Sequence, residues 1–99
     1  MPAGVEPFAT VREAEGLTVV LPRDDADRAG LPYDGELALI TLRVHSALDA
    51  VGLTAAVSAA LAARGISANV IAGLHHDHVF VPADRAQDAI DALEALSRA

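Results

Sequence analysis

The chain has 99 residues, enough for one domain with a modest core, and 53% of them are hydrophobic while only 3% are aromatic. The formal net charge of −7 argues against nucleic acids and membranes as partners, because phosphate groups are bound by clustered Lys and Arg. Cysteine is absent, which excludes disulfides and thiolate catalysis, and the lack of any long apolar run or signal peptide predicts a soluble, cytoplasmic protein.

A hairpin and a short helix are predicted in the N-terminal third. Apolar residues alternate on both sides of "EAEG" in "FATVREAEGLTVVLP", residues 8–22, so we expect two strands with Gly16 in the turn. "RDDADRAG", residues 23–30, predicts one or two helical turns that end at Gly30. Its carboxylates could attract Mg²⁺ or Ca²⁺, but the glycine and terminal glutamate of an EF-hand loop are missing, which favours a solvated helix.

The strongest strand signal is "ELALITLRVHS", residues 36–46. Both of its faces are partly apolar, which is typical of a central strand, and we expect one face to lie in the core: Ala38, Ile40, Leu42 and Val44. A helix near 51–64 follows, in which Leu53, Val57 and Leu61 recur every four residues and Gly65 supplies the stop.

Two further strands and a second helix are predicted in the C-terminal third. "ISANVIAG" and "HDHVFVP" are separated by a short loop and should pair as a hairpin, with Ile66, Ala68, Val70, Val79 and Val81 facing the core. A helix near 84–97 follows, for which we expect a capping box between Asp84 and Gln87 and an apolar stripe of Ala86, Ile90 and Leu93.

The order β-α-β-β-α from residue 37 onward predicts a split βαβ sheet with two main helices on one face. This is an α/β sandwich of the α+β, ferredoxin-like kind, with an antiparallel sheet that lacks its last strand. We expect the N-terminal hairpin to complete the sheet at the vacant edge.

The segments "VHSALDAVGL", "ISANVIAG" and "HDHVFVP" resemble the ACT domain, a small-molecule-sensing module of amino-acid metabolism, and the likeness covers residues 36–97. The chain is more closely similar to small bacterial proteins built from two ACT-like halves. Residues 1–35 then look like the remnant of a shortened N-terminal half and residues 36–99 like the ACT domain, both within one compact domain. The resemblance implies allosteric regulation by a bound amino acid, dimerisation and no catalysis.

The stretch "SALDAVGL" is the first candidate site. Ser46 or Asp49 can cap the helix, whose N-terminal N–H groups and partial positive charge suit a carboxylate, and Gly52 lets a ligand approach the backbone. The resemblance extends the effector-loop role to Asp49, Val51, Gly52 and Leu53. The alternative is ordinary capping with a tight turn into the helix.

A polar residue in the next strand is the second candidate. Asn69 shares a strand face with Ile71, and its amide can donate to a carboxylate and accept from an amino group. The resemblance implies that in a dimer this strand lies beside the effector loop, so both residues are expected to contact ligand. The alternative is a solvated polar residue on a sheet.

Three of the four histidines lie in "GLHHDHVFVP", residues 73–82. His76 and His78 should project together from a strand, and His45 could approach them to form a metal site. Zinc requires three or four ligands, however, and the resemblance carries no metal, so we expect His76 and His78 to contact the ligand or the dimer partner. No nucleophile stands at a spacing that would indicate acid–base catalysis.

The sequence therefore predicts a non-enzymatic, amino-acid-binding regulatory module. We expect a homodimer without a cofactor, which acts on a regulated enzyme and has no nucleic-acid or membrane partner. The alternatives are a structural or partner-binding ACT-like protein without a ligand, and a histidine-based metal-binding protein. A small enzyme is the least supported.

Overall fold

The computed structural model describes residues 4–43 and 52–97, and the chain divides into two units, Met1–Glu36 and Leu37–Ala99. The sequence predictions for five residues concern positions outside the described ranges: Val44, His45, Ser46, Asp49 and Val51.

The first unit contains the predicted hairpin and short helix. Strands β1 (Ala9–Glu13) and β2 (Gly16–Val20) pair antiparallel, and helix α1 spans Arg23–Arg28. Gly16 has a φ of 144°, a conformation that favours glycine and closes the turn.

The loop after α1 is bound back to the helix by polar side chains. The Tyr33 hydroxyl donates to the Asp27 carboxylate over 3.0 Å, and Arg23 pairs with Glu36 over 3.2 Å. All four side chains are exposed, so solvent screens both pairs and each adds little to the stability of the fold.

The second unit is built on a three-stranded antiparallel sheet. Strand β3 spans Leu37–Arg43, β4 spans Asn69–Ala72 and β5 spans His76–Pro82, in the order β3-β5-β4. The sequence predicts β3 to be a central strand, but β3 lies at an edge of this sheet, and β5 lies in the middle between β3 and β4. Strand β4 is shorter than the predicted segment and begins only at Asn69.

Two helices pack against one face of this sheet. Helix α2 spans Leu53–Ala62, a 3₁₀ turn covers Ala83–Arg85, and helix α3 spans Ala86–Ser97. The core confirms the predicted face in the described part of the chain; it is formed by Val57, Leu61, Ile66, Val79, Val81, Ala89 and Ala92, with Ala38, Ile40, Leu42, Leu53, Ala68, Val70, Leu93 and Leu96 packed around them. The mixed α+β architecture with antiparallel sheets confirms the ferredoxin-like class.

One detail of the predicted topology was wrong. The described strands form two separate sheets, and the N-terminal hairpin is one of them by itself rather than the completing part of the β3-β5-β4 sheet. The two hairpin strands are joined by a very short turn, so their pairing requires little loop-closure entropy and satisfies their facing backbone groups locally.

The predicted details of helix α3 also need correction. Its buried residues are Ala89 and Ala92, whereas Ile90 is 36% exposed. Small alanines occupy the line of closest approach because they let the helix pack tightly, so the larger side chain lies beside the contact. The expected capping box does not form, since Gln87 donates to Asp91 over 2.9 Å and the 3₁₀ turn follows Pro82 without a side-chain cap.

The end of α2 is tied to the start of α3. Gly65, with a φ of 69°, and Ile66 donate to the carbonyls of Ala62 and Leu61, which makes a Schellman turn. Arg85 donates to the Arg64 carbonyl over 3.1 Å and pairs with Asp88 over 2.9 Å. Arg85 therefore holds the loop between helix and sheet against the first turn of the next helix.

We predict that Arg85→Ala lowers the free energy of unfolding by about 1–2 kcal/mol, because a charged donor to backbone carbonyls is lost. Chemical denaturation followed by circular dichroism measures the change. Arg64→Ala is the matched control, since the side chain of Arg64 is exposed and only its carbonyl is used. Equal stability of the two variants would contradict the role given to Arg85.

Tyr33 offers a second test, within the first unit. The hydrogen bond to Asp27, partial burial and the negative charge of Asp27 raise the pKa of Tyr33 above its ordinary value of 10.0, because ionisation breaks that bond. The contribution to stability is present below pH 10 and is lost as the pH rises through the higher folded-state pKa.

Tyr33 is the only tyrosine and tryptophan is absent, so ultraviolet absorbance of the phenolate reports this residue alone. We predict that Asp27→Ala lowers the titration midpoint and that Asp24→Ala, on the same helix, leaves it unchanged. A parent midpoint equal to that of a free tyrosine amide would refute the hydrogen bond.

Candidate functional site

The first candidate region is the start of helix α2. Gly52 precedes the helix with a φ of 83°, and among the described residues no side chain caps the first turn. The helical hydrogen bonds begin with Ala56, whose N–H donates to the Gly52 carbonyl over 2.9 Å. The N–H groups of residues 53–55 are therefore available to an acceptor from outside the helix.

Gly52 has a conformational reason to be glycine. A Cβ at this position would meet nothing within 4 Å, but the left-handed backbone disfavours any L side chain. Close approach of a ligand is thus compatible with Gly52 but is not required to explain it. Leu53 is half-buried and packs against the core, so its backbone rather than its side chain is presented at the helix start.

The second candidate region is the sheet face opposite the helices, here called the histidine face. Strand register brings the following residues together on it: Leu37, Leu39, Thr41, Asn69, Ile71, His76, His78 and Phe80. Leu37, Leu39 and Ile71 are 52%, 44% and 39% exposed, whereas Phe80 is 6% exposed.

The two histidines project together, as strand alternation predicts. Their ring centroids lie 6.2 Å apart, and His78 Nδ1 is 3.2 Å from the hydroxyl oxygen of Thr41. Ile71 is directly opposite His78 in the neighbouring strand, while Asn69 is opposite Phe80. Four of the predicted ligand-binding residues are therefore neighbours on one face.

A metal site would need more ligands than this pair supplies. Within residues 4–43 and 52–97, no group of three or more His, Asp or Glu side chains is arranged to hold a metal ion.

The loop between β4 and β5 is built around a close backbone contact. The Gly73 N–H donates to the His76 carbonyl over 2.8 Å, and a Cβ on Gly73 would lie 2.8 Å from that same oxygen. Any side chain at this position must displace the backbone, so glycine is required here for the hairpin. The loop presents Leu74, which is 89% exposed.

Sequence analysis did not select Asp77 as a functional residue. Its side chain lies on the helix-facing side of β5, in register with Val79 and Val81, and is only 6% exposed. The available signal was the alternation of "HDHVFVP", which places an acidic residue in the row of core valines.

Comparison with known proteins adds the family. A model described as "ACT domain" matches residues 36–95, and a second ACT domain model matches residues 1–38. The chain belongs to the ACT domain family. The two matches also agree with a chain built from two ACT-like halves.

One solved structure is similar to the chain over most of its length. The chain is 54% identical to a Vibrio cholerae protein of unknown function, described as a possible transport protein, with a TM-score of 0.81. The likeness covers 93% of this chain and 70% of that one. No curated protein matches.

ACT domains are regulatory, ligand-binding modules that are typically non-catalytic and commonly dimerise, and this describes the chain at the level of its family. Among the described helices, none has the length and apolar character needed to cross a bilayer.

Proposed function

We propose that the chain binds a free amino acid and that this binding regulates a partner enzyme. The observation that carries the proposal is the first turn of α2 in a chain of the ACT family: three backbone N–H groups at the positive end of this helix have no partner within the helix and no side-chain cap among the described residues. An α-carboxylate is the ligand group that suits such a turn.

The residues predicted to bind ligand fall into two groups within one protomer. Gly52 and Leu53 begin a helix on one side of the sheet, whereas Asn69, Ile71, His76 and His78 lie on the opposite side. One small molecule cannot contact both groups in the same chain. We therefore assign the helix start to the ligand and the histidine face, which carries Asn69, to the dimer.

A homodimer is supported by the surface that this face exposes. Leu37 and Leu39 on β3 and Ile71 on β4 are exposed apolar residues of this face, on either side of β5, and an apolar sheet surface favours association. His76 and His78, on β5, add hydrogen-bonding groups to the same face.

The ligand is tested by a thermal-shift screen against the twenty amino acids. A ligand at a hundred times its dissociation constant should stabilise the fold by about 2.7 kcal/mol. Calorimetric titration of the best ligand then gives its affinity. A flat screen would favour an ACT-like protein that binds a protein partner without a ligand.

The dimer is tested by Leu39→Glu. Because Leu39 is an exposed apolar residue of the histidine face, a charge at this position should convert the dimer to a monomer in sedimentation at micromolar concentration. Ala95→Glu is the matched control, since Ala95 is exposed on helix α3, away from the sheet. A parent chain that sediments as a monomer would remove both the dimer and any site shared between two chains.

A further inference from the structure

Asp77 is a buried acidic residue whose surroundings in the sheet are apolar. It lies between Leu42 of β3 and Ala72 of β4, on the side of the sheet that carries the helices. No hydrogen bond or ion pair to its carboxylate is made within the described part of the chain, although only 6% of the residue is exposed. A carboxylate so placed is costly, since burial of a charge is unfavourable unless a partner compensates it.

The position of Asp77 along the sheet brings it to the start of helix α2. Helix α2 ends in the Schellman turn at Gly65, from which the chain passes to Asn69 at the opposite end of β4. The helix start therefore lies at the other end of the sheet, where Ala72 pairs with Asp77. Leu42 and Leu53 both pack on the core beside this end.

The carboxylate oxygens of Asp77 are accessible to solvent. No side-chain oxygen or nitrogen among residues 4–43 and 52–97 is fully enclosed without a partner. The Asp77 oxygens are therefore recessed but reachable from solvent. A recessed carboxylate and an uncapped helix start then occupy the same end of the unit, with opposite electrostatic preferences.

We propose that Asp77 is a specificity-determining residue that binds the cationic nitrogen of the ligand, while the amides at the start of α2 bind its carboxylate. The proposal rests on the proposed function and adds the residue that recognises the positive charge of the amino acid, whether on its α-ammonium or on its side chain. A neutral carboxylic acid would satisfy the helix start and leave Asp77 buried without a partner.

Asp77→Asn is the decisive variant, because it keeps the shape of the side chain and removes its charge. The affinity for the amino acid found in the screen should fall at least roughly ten-fold, since a charge-assisted hydrogen bond is lost. The ligand-free variant should melt at the same temperature as the parent or higher, because a burial cost disappears. Asp84→Asn, on the exposed 3₁₀ turn, is the matched control for both measurements.

The ligand itself distinguishes the two sources of positive charge. For an amino acid with a neutral side chain, the N-acetyl derivative removes the α-ammonium; for lysine or arginine, norleucine or citrulline removes the side-chain cation. Whichever deletion weakens binding to the parent should have little further effect in Asp77→Asn, because both changes remove the same contact.

Three results would overturn the assignment. If Asp77→Asn binds the ligand as tightly as the parent, the proposed function stands and Asp77 has no part in recognition. If the ligand-free variant melts well below the parent, Asp77 is a structural counter-charge to the helix start. If neither zwitterionic nor cationic amino acids bind the parent, both proposals fail together. Asp77→Ala repeats the test should the asparagine variant not fold.

Discussion

The antiparallel pairing of β5 with two partners is the constraint on which the second unit depends. Because successive side chains of a strand point to opposite sides, the pairing places Val79 and Val81 in the core and His78 and Phe80 on the other face. A slip of one residue would bury the histidines against the helices and expose the valines. Ile40 and Val70, which flank Val79 on both sides, make that slip costly.

Much of this arrangement can be predicted from sequence because it follows from local rules. The alternation in "HDHVFVP" predicts the two faces, Gly65 predicts the helix stop, and Leu53, Val57 and Leu61 predict the buried side of α2. The sequence does not predict Ile90 correctly, because hydrophobicity alone favours isoleucine over alanine while close helix packing favours the smaller side chain. Long-range strand pairing is the other failure, since nothing in the hairpin sequence states which edge it joins.

The candidate site is predicted only in part, and for a similar reason. Spacing places His76, His78, Asn69 and Ile71 on neighbouring strands, and register confirms that they share a face. Spacing alone cannot reveal that Gly52 and Leu53 lie on the other side of the sheet, because that depends on which face the helix covers. Asp77 is missed because its proposed role depends on the burial of its side chain, and the exposed fraction of a side chain cannot be read from the sequence.

The two sides of the sheet are linked through adjacent residues of one strand. In the proposed arrangement the ligand binds beside Asp77, whereas the dimer forms through the face that carries His76 and His78, its immediate neighbours in β5. A ligand changes the dimer equilibrium only if it binds monomer and dimer with different affinity, and by linkage the dimer then changes the ligand affinity by the same factor. A recessed carboxylate suits that coupling, because its burial cost is borne by the empty protein and relieved by a cation.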